Sequence, residues 1–191
     1  MNTAAPPTGL RAIVTGAARG IGRAMALRLA ADSLRWRGQP AQLVLADQHA
    51  GELDTLASEL RAAGAEAVVC AGDLSDAQEP ARIVAAASHF TGLDCVASNA
   101  GMALPAALLD ASVEDWDRVF RANVGGTWLW ARAVVPFMRA QGGGAIVTTA
   151  SQLAIAGGAG NAAYIAAKGA ILSLTRTMAN DLGPDRIRVN A

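Results

Sequence analysis

Lysine is almost missing from this chain of 191 residues: Lys168 stands alone beside fifteen arginines. Tyrosine is as scarce, with Tyr164 the only one. A composition that uses Arg wherever a generic positive charge will serve keeps its one Lys for work that Arg cannot do, since an ammonium is a compact charge that its neighbours feel strongly. The two cysteines, Cys70 and Cys95, sit in apolar, strand-like runs without metal-ligand spacing and read as buried thiols in a reducing compartment. An excess of either charge is also lacking. Sixteen acidic residues balance sixteen basic ones, and the arginines are scattered, which leaves no electrostatic footprint for nucleic acid or an anionic membrane surface. No apolar run reaches the roughly 18 residues of a membrane span. The opening MNTAAPPTGL has neither the basic nor the apolar region of a signal peptide. These absences favour a soluble, cytoplasmic protein with a small-molecule partner.

With 52% hydrophobic and 17% charged residues the chain is neither disordered nor fibrous, and it can bury a sizeable core. We expect one domain over residues 10–191 behind a flexible start at 1–9. Short β-rich runs alternate with Ala-rich helical stretches, the pattern of βαβ units wound into a Rossmann-like, doubly wound parallel sheet with helices on both faces. The predicted strands are RAIVTG from Arg11, AQLVLAD, AEAVVCAGD, LDCVASNAG, GGAIVTTAS and a final IRVNA. They are apolar throughout, as strands covered on both faces must be. Helices are predicted over Gly20–Ala31, Gly51–Ala63, Asp76–Ser88, Ser112 to about Ala140, and Asn161–Leu182. The fourth should break near Asn123–Gly126, where two consecutive glycines weaken it.

Tyr164 and Lys168 are four apart, so a helix through them carries both on one face. An ammonium there favours the phenolate and would lower the Tyr pKa toward working pH, as a general acid or base requires. The first strand runs into Thr15-Gly16-Ala17-Ala18-Arg19-Gly20-Ile21-Gly22, where glycines permit a tight turn and let a pyrophosphate approach backbone at a helix N-terminus. Its spacing is not GxGxxG. At the end of the second strand, Asp47 can accept hydrogen bonds from ribose hydroxyls and repel a 2′-phosphate, which favours NAD. Arg19 could instead pair with that phosphate and favour NADP; Asp47 is preferred. Asp73 and Leu74 after the third strand can hold an adenine, and Asn99, Ala100 and Gly101 after the fourth offer a small, flat backbone edge. Each of these could equally be an ordinary turn.

From about Leu10 to Ala191 the chain resembles the short-chain dehydrogenase/reductase family. TGAARGIG resembles the family's TGxxxGxG cofactor turn, SNAG at Ser98 its NNAG with one substitution, and Tyr164 to Lys168 its YxxxK; Ser151 lies thirteen residues before Tyr164, as in the family. The resemblance implies a tetrad of Asn123, Ser151, Tyr164 and Lys168 serving a nicotinamide cofactor. Tyr164 would be acid in reduction and base in oxidation, and Lys168 would stabilise the phenolate and bond the nicotinamide ribose. Ser151 would orient a ketone or alcohol oxygen, and Asn123 would hold a water linking Lys168 to solvent. Alternatively Ser151 caps its own backbone and Asn123 is a turn residue before Gly125. A non-catalytic nucleotide-binding or scaffold protein is the rival function.

Two departures from the family pattern stand out. RWRGQP lengthens the connection to the second strand and is expected to form a surface bulge. Family members usually continue past Ala191 through a mobile lid and a seventh strand, so an open pocket and an exposed sheet edge are expected. Met102, Gln152, Leu153 and Ile155 suggest a mostly apolar pocket wall. Trp116, Trp128 and Trp130 read as core or subunit contacts. His49 and His89 have no acidic partner at useful spacing and read as surface or capping residues, with no metal site implied. The small stripe Ala163, Ala167, Ala170 and Leu174 would let another helix approach closely, and with the family's two-fold packing it implies a homodimer or homotetramer.

Overall fold

The computed structural model describes residues 8–191, so most of the expected flexible start lies outside the described residues. Gly9 is buried, and its carbonyl accepts from Arg37 Nη1 at 3.3 Å. Six strands alternate with helices: β1 (Arg11–Thr15), α1 (Gly20–Arg37), β2 (Gln42–Asp47), α2 (Ala50–Ala62), β3 (Glu66–Ala71), α3 (Glu79–Ala86) and β4 (Cys95–Ser98). There follow α4 (Val113–Phe120), a π-helical turn (Arg121–Gly125), α5 (Gly126–Gln141), β5 (Gly144–Thr148), α6 (Leu153–Ala156), α7 (Ala162–Leu182), a 3-10 turn (Gly183–Asp185) and β6 (Ile187–Asn190). All neighbouring strands are parallel, in the order β3-β2-β1-β4-β5-β6, with Ala12 opposite both Leu43 and Cys95. This is the expected doubly wound sheet.

The strand sequences build two cores because successive side chains point to opposite faces. Ile13, Val44 and Ile146 pack against Ile83 of α3, Trp130, Val134 and Met138 of α5, and Met178 of α7. Ala12, Val14, Leu43 and Leu45 pack against Ala26 and Ala30 of α1 and Leu53, Leu56 and Leu60 of α2. At about 25 cal/mol per Å2 of apolar surface, each large aliphatic side chain buried this way contributes on the order of 2 kcal/mol before entropy is counted.

Three predicted boundaries change. The expected bulge RWRGQP is instead the last turn of α1, which runs to Arg37 and stops at Gly38, whose N–H donates to Leu34 O at 3.1 Å. Arg and Trp do not break a helix, and only Gly38 does. α3 starts at Glu79 rather than Asp76, because Asp76 Oδ1 accepts from Gln78 N at 2.9 Å and holds a turn there, while Pro80 suits the first helical positions. The expected break at Asn123–Gly126 is a π-turn joining α4 to α5 without interruption. Asn123 Nδ2 donates to Val119 O and Thr127 Oγ1 donates to Asn123 O, both at 2.8 Å, so side chains carry the helix across its irregular turn.

Trp130 is buried in the core, whereas Trp116 and Trp128 are partly exposed. Of the small stripe of α7, Ala163 and Ala167 are buried against Val119 of α4 and Leu174 packs on the core beneath the sheet. Among the described residues no helix is long and apolar enough to cross a membrane.

Candidate active site

β1 and β4 lie side by side, but β1 leads into α1 on one face and β4 toward α5 on the other. A crevice opens where such connections part, outside the carboxyl ends of the strands. Backbone approaches closely there. Gly16 has φ of 64°, and a Cβ on it would lie 2.9 Å from Asn99 Nδ2 and 3.0 Å from Ala100 Cα. A Cβ on Gly22 would lie 2.0 Å from Gly16 O, so the first turn of α1 can seat against the loop only because Gly22 has no side chain.

Hydrogen bonds fix the same junction. Thr15 Oγ1 accepts from the N–H groups of Asn99 and Ala100, both at 3.0 Å. Asn99 Nδ2 donates to Thr15 O and Gly16 O at 3.3 Å, and Asn99 Oδ1 accepts from Thr149 Oγ1 at 3.1 Å. The ends of β1, β4 and β5 are thereby tied together. α1 starts beside this network with no acidic residue in its first turn and no side-chain cap, leaving N–H groups and the positive end of the helix dipole to meet an anion.

A cavity of about 610 Å3 occupies the crevice. Its lining includes the predicted Gly16, Arg19, Asp47, Asp73, Leu74, Asn99, Ala100, Gly101 and Met102, together with His49, Arg118, Arg121 and Ala122. Of the predicted turn, Gly20, Ile21 and Gly22 are not in the lining; Ile21 is exposed and Gly22 is packed behind the turn.

Asp47 ends β2 with its carboxylate held by protein donors. Oδ2 accepts from Ala18 N at 3.1 Å, while Oδ1 accepts from His49 N at 3.2 Å and lies 2.8 Å from His49 Nδ1. Burial works to raise its pKa, but the His49 ring and the two amides outweigh burial and hold it below the ordinary carboxylate value. The carboxylate is therefore ionised at neutral pH. His49 does have an acidic partner, contrary to expectation, and so does His89, whose Nε2 is 2.8 Å from Glu66 Oε1. Spacing along the chain hides both contacts, one because it folds back within an Asp-x-His turn, the other because β3 and the turn after α3 meet only in the fold. Arg19 Nη2 lies 3.8 Å from Glu52 Oε1, on the exposed side. Asp73 lines the cavity and also closes a turn, accepting from Ser75 N at 2.9 Å and Ser75 Oγ at 2.8 Å, which lowers its pKa.

Tyr164 and Lys168 share one face of α7, as their spacing predicts. Lys168 is 3% exposed, its Nζ donates to Thr149 O at 2.6 Å, and the Nζ lies 5.6 Å from the centre of the Tyr164 ring. Burial draws the lysine pKa down to about 8. Gly101 joins this pair to the cavity, because a Cβ on it would come 2.4 Å from Asn123 Oδ1 and 3.5 Å from Lys168 Nζ. Asn123 is fully buried, with Nδ2 donating at 2.8 Å to both Met102 O and Val119 O, while its Oδ1 has no partner among the described residues. Ser151 Oγ accepts from Leu153 N at 3.2 Å, the capping contact, and its hydroxyl proton stays free to donate elsewhere. Thr15 reads in the sequence only as the start of the glycine turn and His49 only as a surface or capping residue, and nothing marks Thr149. A threonine two residues before Ser151 carries no signal until the fold brings its carbonyl to α7.

The short chain dehydrogenase family model matches residues 11–191. The chain is 37% identical over 182 residues to versicolorin reductase 1 of Aspergillus parasiticus, an alignment covering 94% of this chain and 66% of that protein. It is 33% identical over 181 residues to a 3-oxoacyl-(acyl-carrier-protein) reductase of Synechocystis sp., covering 94% and 71%. It therefore spans about two-thirds of the length of these relatives. Among solved structures, an NAD+-bound xylitol dehydrogenase superposes with a TM-score of 0.89 at 34% identity, covering 98% of this chain and 70% of that one. A 7α-hydroxysteroid dehydrogenase complexed with NADH and 7-oxo glycochenodeoxycholic acid superposes with a TM-score of 0.86 at 32% identity, covering 96% and 69%. Strand order, glycine turn and sequence identity along nearly the whole chain agree: it belongs to the short-chain dehydrogenase family.

Proposed function

We propose that this chain carries the cofactor-binding and proton-transfer parts of an oxidoreductase that moves a hydride between a nicotinamide nucleotide, NAD in preference to NADP, and a secondary alcohol or ketone. The observation that carries the reading is the buried Lys168 ammonium beside the Tyr164 ring, joined through Gly101 to a cavity lined by an ionised carboxylate and by Arg19, the residue that precedes the uncapped first turn of α1. The residues present fit such a nucleotide. Gly16, Asn99, Ala100 and the α1 amides would hold its phosphates, Asp47 its adenosine ribose, Asp73 and Leu74 its adenine, and Lys168 its nicotinamide ribose.

When bound, that nucleotide supplies or takes the hydride at the carbonyl carbon. Tyr164 delivers the matching proton to the carbonyl oxygen in reduction and removes it in oxidation, so hydride and proton together add across the double bond. Ser151 donates a hydrogen bond to that oxygen, which strengthens as negative charge develops there and is worth on the order of 3 kcal/mol in comparable donor deletions. Lys168, steadied by Thr149 O, would keep positive charge beside the phenol. Asn123 holds Met102 and Val119 by its amide, and its unpartnered Oδ1 is suited to accept from a water bonded to Lys168.

Asp47 supports NAD because an ionised carboxylate accepts ribose hydroxyls and repels a 2′-phosphate, whereas the charge of Arg19, which also lines the cavity, is shared with Glu52 at 3.8 Å. Exposed Trp128 and Phe137 on α5 support self-association as a homodimer or homotetramer, to be measured by sedimentation. The test of function is absorbance at the reduced-nicotinamide band with a panel of ketones and alcohols, using the whole protein. Tyr164→Phe should abolish turnover while nucleotide affinity survives; normal turnover in that variant would remove Tyr164 from the proton path.

A further inference from the structure

Asp47 is bound more tightly by its own chain than a ribose-recognising carboxylate needs to be. A carboxylate offers about four lone-pair sites. Three are taken, two on Oδ1 by His49 and one on Oδ2 by Ala18. One site remains for a ribose that presents two hydroxyls. The second acceptor has to come from elsewhere; Gln48 and His49 both line the cavity beside Asp47, and of the two it is the His49 ring that is bonded to the carboxylate. When Nδ1–H donates to Asp47, the other nitrogen of a neutral ring, Nε2, is a bare acceptor.

We propose that His49 is a specificity-determining residue whose protonation switches the Asp47 site between a ribose diol and a ribose 2′-phosphate. This rests on the reading of the cavity as a nucleotide site. With a neutral ring, Asp47 Oδ2 and His49 Nε2 accept one hydroxyl each, and the pair carries one negative charge that opposes a 2′-phosphate. With a protonated ring, Nε2 becomes a charged donor, the pair is neutral overall, and a 2′-phosphate meets a partner instead of a repulsion.

The surrounding charges leave the switch to the histidine. The charged side chains that line the cavity with His49 are Arg19, Asp47, Asp73, Arg118 and Arg121, and Glu52 of α2 lies 3.8 Å from Arg19. The arginines stay charged. Asp47 and Asp73 are held in the ionised state by their hydrogen bonds. Histidine is the residue type in that set that ordinarily changes charge between about pH 5 and 8.

The test measures direct binding, by calorimetry, of adenosine 5′-monophosphate and adenosine 2′,5′-bisphosphate to the whole protein at about pH 5.5 and about pH 8.5, on either side of the ordinary histidine range. In the wild type the affinity ratio should move toward the 2′-phosphate by about tenfold at the lower pH, the gain expected of one charge-assisted hydrogen bond. His49→Asn can still donate to Asp47 but does not titrate, and its ratio should move less than about threefold, a residue of the phosphate's own ionisation near pH 6. His49→Gln repeats the comparison should the Asn variant fold poorly. Binding of both nucleotides with a ratio that moves equally in wild type and variants overturns the role of His49 alone. Failure of both nucleotides to bind at either pH overturns the nucleotide reading of the cavity.

Discussion

Replacing Lys168 by Met should make the nucleotide-free protein more stable while abolishing its activity. Lys168 is 3% exposed, and burial is the only cause of its lowered pKa, so no charged partner offsets the desolvation of the ammonium. A shift from 10.5 to about 8, at about 1.4 kcal/mol per unit, puts the penalty for carrying that charge at about 3 kcal/mol. Met fills similar space without charge. It also deprives Thr149 O of its 2.6 Å donor, a loss of about 1 kcal/mol, which leaves a net gain of about 2 kcal/mol. For a domain of this size that is a rise in Tm of roughly 4–8 °C.

The pH dependence follows from linkage. The folded pKa lies below the unfolded one, so between pH 8 and 10.5 the unfolded chain binds more protons and stability rises with pH, the penalty being present in full below that window. The advantage of Met over Lys should therefore fall by about 3 kcal/mol across pH 8–10.5 and become a deficit of about 1 kcal/mol above it, where the neutral amine still donates to Thr149 O. Urea unfolding of both forms at several pH values measures this, with other groups cancelling in the difference. A Met variant that is less stable at neutral pH, or whose advantage is independent of pH, would refute the claim that an uncompensated buried ammonium sits at this site.

Two further outcomes follow from the crevice. Gly22→Ala forces a Cβ to within 2.0 Å of Gly16 O, so it should destabilise the protein by about 2 kcal/mol or more and weaken nucleotide binding, read by thermal unfolding and calorimetry. Gly20→Ala, where a Cβ would meet nothing within 4 Å but the backbone holds φ at 55°, should cost about 1 kcal/mol of stability through backbone strain and weaken nucleotide binding less than Gly22→Ala; an equal loss of binding from both would mean that close seating of α1 is not what Gly22 provides. Asp47→Ala should raise affinity for NADP relative to NAD by about tenfold or more, since both the repulsion and the diol acceptor are lost. An unchanged ratio would assign the choice to Arg19 or to groups beyond this wall.

The alternation of apolar strands with Ala-rich helices determined the sheet and its winding, because a strand buried on both faces has to read as a continuous apolar run and a parallel neighbour requires a crossover helix. The spacing of Tyr164 and Lys168 likewise determined that they share a helix face, since that follows from 3.6 residues per turn alone. Element ends were less legible. α1 outran its expected stop because nothing in RWR opposes a helix, and the π-turn depends on side-chain hydrogen bonds from Asn123 and Thr127 that spacing does not announce.

Tertiary structure alone decided what each candidate faces. It set Thr149 O under the Lys168 ammonium, brought Gly101 between that ammonium and the cavity, turned the small face of α7 inward onto α4, and placed His49 against Asp47. These are contacts between strand ends, loops and helix faces distant in sequence or folded back on themselves, and their energies depend on burial and donor count. Local sequence selects the residue that can do a piece of chemistry; only the packed fold sets the solvent, charge and hydrogen bonds that decide whether its proton is held or released.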